Sequence, residues 1–482
     1  MAARAEIVLE EAELNHSAEI QASLWPGLER LDLLLAGGIE AAQALFGPGA
    51  MADGFRGLYL NRADVDRLVA RAPGEPLLHM RGSAPSSPHP LAWLSHLLPG
   101  LDDFDLDVIL IALGPELDLR YERLYAYLQD DITRKRPTVD LALNLLCSTS
   151  EERLARRSHF NPEAPLIRYT VLDLISDPSQ IEPPLLASYF KLDEEMVSLL
   201  LGQDSLGRLS TFCEWLAPQA GELDDGLAKL ARKAHAARRP LRLYFQGAPG
   251  AGKRRAAQAM GAATGATVLA AQLASPSFAA DPHAPVRLTR AARLCNAILY
   301  LDGWDAVSGD QAADLQDRML AAVSEFDGIA VLAGTRAWNA PHLIFRDSAL
   351  GILPVTFGVP APVARRTLWR ASLWSQGIDA SEDDVATLAG RFRLMPAQIS
   401  EAAAAARSLL EQRGGEEARL AGLMAAARAQ SGHALAALTT RIEPVYAWDD
   451  IVLPDDALAQ LREICQRVAS RERVMGDWGF ES

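Results

Sequence analysis

Hydrophobic residues in the first third of the chain recur at helical spacing, first around Leu24–Leu45 and more regularly from Phe104. Apolar positions three and four residues apart form one buried face of a helix. The second stretch predicts three helices, which cover Val108–Leu113, Tyr121–Leu128 and Val139–Leu146. Gly114-Pro115 is expected to end the first of them, because proline lacks a backbone donor and clashes with the preceding turn.

Two short β-like runs follow at Leu166–Leu172 and Leu185–Leu192, with a polar, proline-bearing turn between them at Asp177–Pro184. Three helices followed by a hairpin form the outline of a winged helix. Winged helices bind DNA in some proteins and contact other proteins elsewhere, and the acidic chain favours protein contacts here. The third helix, Val139–Leu146, offers no basic side chain to a phosphate backbone.

After a polar connection over residues 219–240, buried strands alternate with helices. The predicted strands are Leu241–Phe245, Ala297–Leu301 and Ile329–Gly334, and the first predicted helix is Ala256–Ala263. The pattern then becomes wholly helical, with a capping box at Ser381 and Asp384 and an alanine-rich helix that begins at Pro396 and closes before Gly414. The predicted fold class is α/β, a three-layer parallel sheet with a helical lid, preceded by a mainly helical winged-helix domain.

A phosphate-binding loop lies between the first strand and its helix. Its residues are Gly247, Ala248, Pro249, Gly250, Ala251, Gly252, Lys253 and Arg254. The motif normally ends in Ser or Thr, whose hydroxyl holds magnesium, and Arg254 stands in that place. The glycines let backbone N–H groups surround phosphate oxygens, and Lys253 is expected to reach the outer phosphates. These eight residues are therefore predicted to bind ATP or ADP, with Mg²⁺ held more weakly.

Asp302 follows the strand Ala297–Leu301 at the carboxyl edge where open α/β sheets place ligand chemistry. Its carboxylate can orient the water shell of magnesium, which makes Asp302 a candidate metal ligand and catalytic residue; alternatively, it caps the next turn. A second acid often follows to polarise water, but position 303 is glycine and Asp305 is displaced by two residues. Thr335 is the second catalytic candidate, placed to touch the γ-phosphate or the attacking water; alternatively, its hydroxyl bonds nearby backbone.

Composition limits the partners and the chemistry. The 482 residues are 49% hydrophobic and carry a net charge of -15, which argues against broad, salt-driven binding to nucleic acid or anionic membranes. The four cysteines lie far apart and the nine histidines are scattered, so neither a disulfide framework nor a zinc site is indicated. The first residues lack an apolar signal core, and no apolar run approaches membrane-spanning length. A cytoplasmic protein without a membrane partner is expected.

Residues 241–412 resemble an AAA+ module. The matching positions are the loop Gly247–Arg254 for the first phosphate motif, Asp302 for the second, Thr335 for the first sensor and Arg391–Ile399 for the second sensor region. The resemblance implies a five-stranded parallel sheet with a helical lid, ATP at their junction, and assembly into a homo-oligomeric ring.

Two positions depart from the AAA+ pattern, because Arg254 replaces the magnesium-holding hydroxyl and Gly303 replaces the catalytic acid. Both missing groups help to position and stabilise the transition state, so hydrolysis by this module is expected to be slow or absent. Arg254 is expected to replace part of the magnesium charge, since guanidinium pairs well with phosphate oxygens. Arg346 is the best candidate for an arginine finger, although its match is poor.

Residues 111–131 and 441–480 together resemble, more narrowly, the large ATPase encoded with extracellular contractile injection systems, which are phage-tail-like particles that deliver toxins. That resemblance implies a winged helix, a degenerate AAA+ module and then an intact second one. It also implies a role in cargo loading or particle assembly, with the particle or a cargo protein as partner. Residues 446–454 and the helix expected over 455–473 resemble the lead-in to a second module; alternatively, they form a C-terminal docking helix.

The expected domains are an N-terminal helical region and linker (1–90), the winged helix (91–218), the AAA+ nucleotide-binding α/β domain (219–370), the helical lid (371–440) and the lead-in segment (441–482). Three functions are open at this point. The first is an ATP-binding component of an injection machine with a degenerate, weakly hydrolytic module. The second is a non-catalytic ring scaffold or adaptor, and the third, ranked last, is a winged-helix transcription regulator.

Overall fold

The computed structural model describes residues 22–44, 62–79, 88–177, 181–203, 206–221, 223–308, 312–338, 351–413, 417–431 and 448–472. The chain divides into two compact units. The first comprises Met1–Tyr244, Arg255–Ala333 and Trp338–Leu353, and the second comprises Phe245–Arg254, Gly334–Ala337 and Pro354–Ser482. The phosphate loop therefore groups with the helical lid.

The described part of the first unit contains helices before any strand. They are α1 (22–44), α2 (Arg62–Ala70), α3 (Ala92–Leu97), α4 (Asp103–Leu117), α5 (Arg120–Leu128), α6 (Val139–Leu146), α7 (Ser150–Arg156) and α8 (Pro165–Arg168). An antiparallel hairpin of β1 (Leu172–Ile175) and β2 (Tyr189–Leu192) follows, and then α9 (Glu194–Leu200). One apolar core includes side chains of α1, α4, α6 and the hairpin. The predicted helices and hairpin of a winged helix are thus present.

Helix α4 is longer than its sequence suggests. It does not end at Gly114-Pro115, as expected, but continues to Leu117 with Pro115 inside it. A proline at this position leaves the carbonyl of Ile111 without its usual amide partner. The hydroxyl of Tyr125 on α5 donates to that carbonyl at 2.7 Å. A neighbouring helix supplies the missing hydrogen bond, which is why the predicted helix end is wrong.

The hairpin strands are shorter than predicted. Much of the run Leu166–Leu172 belongs to the short helix α8, whose first residue is Pro165, a residue well suited to the first turn of a helix. Thr170 has a left-handed φ of 52° and turns the chain before β1 begins. In the second run, Leu185–Ala187 forms a 3-10 turn ahead of β2.

The α/β part of the chain contains alternating strands and helices. They are β3 (Cys213–Leu216), α10 (Asp225–Ala236), β4 (Leu241–Gly247), α11 (Lys253–Thr264), β5 (Val268–Gln272), α12 (Pro276–Ala280), α13 (Ala284–Leu294), β6 (Ile298–Asp302), α14 (Ala313–Glu325), β7 (Ile329–Gly334) and β8 (Leu353–Phe357). The strand order is β3-β5-β6-β7-β4-β8. Strands β5, β6 and β7 are parallel, whereas β3 is antiparallel to β5. The five-stranded sheet expected from the resemblance therefore has a sixth, antiparallel strand at its edge.

Two contacts show that β4 runs in the same direction as β7. The amide of Leu241, at the start of β4, donates to the carbonyl of Gly328 just before β7 at 3.2 Å. The side chain of Lys253, after the end of β4, reaches the carbonyl of Gly334 at the end of β7. Strands β6, β7 and β4 consequently direct their carboxyl ends to one edge of the sheet.

Two buried arginines of α13 join the α/β part to the winged helix. We call Asp193, Glu195, Arg287 and Arg290 the α13 junction. Arg290 donates to Glu195 Oε2 at 3.0 Å and also bonds Asp193, while Arg287 Nε lies 3.2 Å from Asp193 Oδ2. Arg290 further donates to the hydroxyl of Thr170 at 2.9 Å. The junction fixes the start of α9 against α13 within the first unit.

The lid contains α15 (Pro362–Ser375), α16 (Glu382–Arg391), α17 (Pro396–Arg413) and α18 (Glu417–Ser431), and α19 (Asp455–Glu472) follows. The capping box of Ser381 and Asp384 is present, and Pro396 begins α17, as predicted. The alanines of α17 pack in the lid core with Trp369 and Leu388. Within the described ranges, no helix combines the length and apolarity needed to span a bilayer.

Candidate functional site

The phosphate loop leaves β4 through a turn that requires glycine. Gly250 and Gly252 have φ values of 76° and 98°, in the left-handed region that disfavours side chains. At Gly247 the reason is space, since a Cβ there would lie 2.7 Å from the Cβ and from the carbonyl oxygen of Phe357 on β8. Left-handed residues at intervals aim successive N–H groups at a common point, which is the geometry of an anion-binding backbone nest.

The tip of the loop is open to solvent. Ala248, Pro249 and Gly250 are exposed, while Ala251 is buried beneath them. The amide of Ala251 donates to the carbonyl of Ala248 at 3.1 Å, which closes the turn. The loop thus presents backbone rather than side chains to a ligand.

Lys253 begins α11 and is only 8% exposed. Its ammonium donates to the carbonyl of Gly247 at 2.6 Å and to that of Gly334 at 3.1 Å. These carbonyls end β4 and β7, so the ammonium lies where the two strands meet the loop. An ammonium held by neutral carbonyls can exchange one of them for a charged phosphate oxygen, which is the stronger partner.

Arg254 is the second residue of α11 and is exposed. A guanidinium has five donors and no acceptor, so it can bind phosphate oxygens but cannot ligate magnesium. The residues of the loop therefore fit a nucleotide better than they fit its metal ion.

Asp302 is the last residue of β6, which confirms its predicted place at the carboxyl end of a strand. It pairs in register with Gln272 on β5 and Ala333 on β7. Its Oδ1 accepts a hydrogen bond from the amide of Gly303 at 2.9 Å. One carboxylate oxygen thus closes the next turn, which is the alternative role considered for this residue.

At Gly303, where the AAA+ pattern is expected to place an acid, the backbone is suited to glycine. Its φ is 77°, and a Cβ there would lie 2.7 Å from the side-chain oxygen of Gln272. A side chain at position 303 would therefore meet both a left-handed backbone and the Gln272 side chain. Asp305 lies in the following 3-10 turn, and burial, together with the Asp305 charge, raises the pKa of Tyr244 on β4 to about 12.

Thr335 follows β7 directly and is exposed. Its neighbour Gly334 accepts a hydrogen bond from Lys253, so Thr335 is next in the chain to a residue that contacts the phosphate loop. Arg346, the candidate arginine finger, lies outside the described residues. The roles assigned to Asp302 and Thr335 remain predictions.

The second sensor region touches the loop through a residue that sequence reasoning did not single out. The amide of Ala397, in the first turn of α17, donates to the carbonyl of Gly250 at 3.1 Å. A Cβ on Gly250 would meet the Ala397 methyl at 2.8 Å. No periodic pattern marks an alanine for such a contact; the stretch Arg391–Ile399 and the helix start at Pro396 indicate the region but not the residue.

A separate cluster in the winged helix has the spacing of metal ligands. Within the described ranges, one oxygen or nitrogen from each of Asp102, Asp105 and His159 lies within 4.8 Å of the others. Asp102 is already ion-paired with Arg156, and Asp105 binds His159 Nδ1 at 2.7 Å. This hydrogen bond raises the pKa of His159. The cluster is internally paired, and it carries no metal assignment.

The third helix of the winged helix, α6, is not available to a DNA groove. Most of its side chains are buried, including Val139, Leu143 and Leu145. Its N-cap is Thr138, whose hydroxyl accepts the amide of Leu141 at 3.2 Å. Nothing in this geometry favours the transcription-regulator alternative.

Two family models match the chain. The model "winged helix domain, variant" matches residues 83–209, and the model "contractile injection system ATPase helical domain" matches residues 361–433. No curated protein matches the chain. Similar solved structures include the FIGL-1 AAA domain in complex with ADP (14% identity, TM-score 0.35, covering 54% of this chain and 94% of that chain). A second is the FIGL-1 AAA domain (14% identity, TM-score 0.37, covering 59% and 96%).

The sheet order, the loop after β4 and the lid define an α/β AAA+ fold, and a winged-helix domain precedes it. Over residues 361–433 the chain is similar to the helical domain of contractile injection system ATPases.

Proposed function

We propose that this protein is a nucleotide-binding AAA+ component of a contractile injection system, and that its own module binds ATP or ADP but hydrolyses ATP slowly. The observation that carries the proposal is the phosphate loop. Its two left-handed glycines, with Lys253 held between the carbonyls of Gly247 and Gly334, suit an anion. Nucleotide binding by the loop then serves structure or regulation.

Three groups of the chain would bind the phosphates of a nucleotide: the loop backbone, Lys253 and Arg254. The backbone of Gly247–Lys253 would bind phosphate oxygens, and Lys253 would neutralise the outer ones. Arg254 would add a second cation where a magnesium ligand is usual. A bound nucleotide would supply the charge that these groups recognise.

Slow hydrolysis follows from two positions. Arg254 offers no oxygen to magnesium, and Gly303 offers no carboxylate to an attacking water. Asp302 is the acid at the end of β6, and one of its oxygens is engaged by the amide of Gly303. Without these groups, the transition state of phosphoryl transfer loses positioning and charge stabilisation.

The deciding experiment measures ADP and ATP binding and ATP turnover of the purified chain, with magnesium and with EDTA. We expect binding that survives EDTA and turnover far below that of an AAA+ enzyme with an intact motif. Lys253→Ala is the control, because it removes the buried ammonium and should abolish binding. Affinity that vanishes on chelation, or rapid turnover, would contradict the proposal.

We further propose a role in cargo loading or particle assembly, performed as a homo-oligomeric ring. The helical-domain match supports the link to injection machines. The test compares particles from cells that carry wild-type protein, Lys253→Ala or a deletion. Empty particles indicate a loading role and missing particles an assembly role, whereas normal, filled particles in the deletion strain would exclude both. Sedimentation of the purified chain, with and without ADP, tests the ring.

We also propose the five domains with the limits predicted from the sequence. In this division, residues 441–482 form the lead-in to a second AAA+ module. Trp448–Asp450 forms a 3-10 turn, and α19 follows at Asp455–Glu472. Residues 446–447 lie outside the described part of the chain.

A non-catalytic scaffold is the second candidate function, and the left-handed Gly303 favours it, because the hydrolytic acid has no place there. The scaffold requires no nucleotide. Absence of co-purifying nucleotide, together with no thermal shift by ADP or ATP, would select it over the first proposal.

A further inference from the structure

Hydrogen bonds within the lid hold the start of α17. The side-chain oxygen of Gln398 accepts the amide of Met395 at 2.9 Å, which is the N3-to-N-cap bond of a capping box. The side-chain amide of Gln398 donates to the carbonyl of Gln430 on α18 at 3.1 Å. Two hydrogen bonds that do not involve the loop therefore hold the first turn of α17.

This fixed turn meets the loop at its exposed tip. The amide of Ala397 donates to the carbonyl of Gly250, the Ala397 methyl lies over Gly250, and Pro396 approaches Gly252. The bond uses a loop carbonyl and not a loop amide. Loop amides are the groups that bind phosphate, so a lid contact to a carbonyl leaves that function intact.

We propose that Ala397 is a positioning residue, whose backbone amide and methyl hold Gly250 in its left-handed conformation and so preorganise the loop for phosphate. This inference rests on the nucleotide binding proposed above. It adds that the contact from α17 of the lid raises the affinity for the nucleotide. By linkage, bound nucleotide must stabilise the Ala397–Gly250 contact by the same factor.

The first test exchanges the sizes of the side chains at positions 250 and 397. Gly250→Ala should weaken ADP binding by about tenfold, because its methyl collides with that of Ala397 and displaces the loop. Gly265→Ala is the matched control, since Gly265 has nearly the same φ, 75° against 76°, but nothing within 4 Å of its Cβ. Adding Ala397→Gly to Gly250→Ala removes the collision and keeps the amide-to-carbonyl bond, so it should recover part of the affinity. A purely structural role for Gly250 predicts no recovery.

The second test removes the hydrogen bond. Ala397→Pro deletes the amide at the second residue of α17, where a helix tolerates proline. Asp383→Pro is the control, because Asp383 is the exposed second residue of α16 in the same lid. We expect ADP affinity to fall about fivefold in Ala397→Pro and to stay unchanged in Asp383→Pro. Hydrogen exchange of wild-type protein should also show the Ala397 amide slowed by ADP.

The outcomes separate the two proposals. If wild-type protein binds ADP but Ala397→Pro matches its control and the size exchange shows no recovery, the positioning role is overturned and nucleotide binding stands. If wild-type protein binds no nucleotide in the presence or absence of magnesium, both proposals fall.

Discussion

At the scale of single residues, Pro115 and Tyr125 act as a pair. Proline removes the amide that would bond the Ile111 carbonyl, and the Tyr125 hydroxyl bonds it from α5. Tyr125→Phe leaves this buried carbonyl without a partner, so the free energy of unfolding should fall by about 1–3 kcal/mol. Urea denaturation monitored by tryptophan fluorescence measures the change.

A second variant makes that test specific. Pro115→Ala restores an amide near the Ile111 carbonyl, so the loss caused by Tyr125→Phe should be smaller in the Pro115→Ala background. A strictly additive double-mutant cycle would show that the hydroxyl is not replacing the proline's missing bond.

The left-handed backbone at Gly303 predicts that an acid introduced at this position will not restore catalysis. Gly303→Glu should not restore ATP turnover, and it should lower stability by about 1–2 kcal/mol, the cost of a left-handed backbone for a residue with a Cβ. Gly265→Ala, at a φ of 75° in open space, gives the backbone cost alone. A turnover gain in Gly303→Glu that disappears when Asp302→Asn is added would refute this reading of the site.

His159 gives stability a pH dependence. Its hydrogen bond to Asp105 raises the pKa of His159 in the folded state. A raised histidine pKa stabilises the fold fully below the unfolded value, about 6.5, and this contribution is lost as pH rises through the folded value. The stability of wild-type protein should therefore fall more than that of His159→Gln, in thermal or urea unfolding, as the pH is raised from mildly acidic to mildly alkaline. Parallel pH profiles would contradict this.

At the scale of elements, the α13 junction binds one domain to another through buried charge. Arg290 is 1% exposed and satisfies Asp193, Glu195 and the backbone around Thr170. Removing one member of a buried ion pair leaves an uncompensated charge, which typically costs about 3–5 kcal/mol. Arg290→Met should therefore destabilise the first unit strongly while preserving side-chain volume.

The matched control is Arg318→Met on α14. Arg318 forms an i,i+4 ion pair with Asp314 at 2.9 Å, and its partner is 87% exposed. Surface pairs of this kind contribute up to about 1 kcal/mol. Equal midpoints of urea unfolding for the two variants would show that the junction does not hold the domains together.

Elements fixed by local pattern could be predicted from the sequence, whereas those fixed by distant partners could not. The turn between β4 and α11 and the capping box of Ser381 are local, and both lie where the sequence predicts them. The passage of α4 through Pro115 depends on Tyr125 of another helix, and the α13 junction joins Asp193 to Arg290 across 97 positions. Strand β3 is four residues long and is defined by its pairing with β5. No window of sequence contains these partners.

At the scale of the whole molecule, the net charge and the burial of α6 both disfavour DNA as a partner. The net charge of -15 repels a phosphate backbone, and α6 keeps most of its side chains in the core. The basic run 134–136 is largely engaged by acids, since Arg134 lies 3.3 Å from Asp131 and Arg136 2.8 Å from Glu116. The protein thus offers no strong cationic stripe within its described winged helix.

We therefore expect no specific binding of duplex DNA at physiological salt, measured by fluorescence anisotropy with a labelled fragment. Any binding at low salt should fall steeply with salt, as phosphate contacts require, and should be the same for unrelated sequences. Replacing Arg134, Lys135 and Arg136 with alanine should not change this result, because Arg134 and Arg136 are already paired with Asp131 and Glu116. Sequence-selective binding that survives physiological salt and is abolished by the triple replacement would reverse the argument and restore the regulator hypothesis.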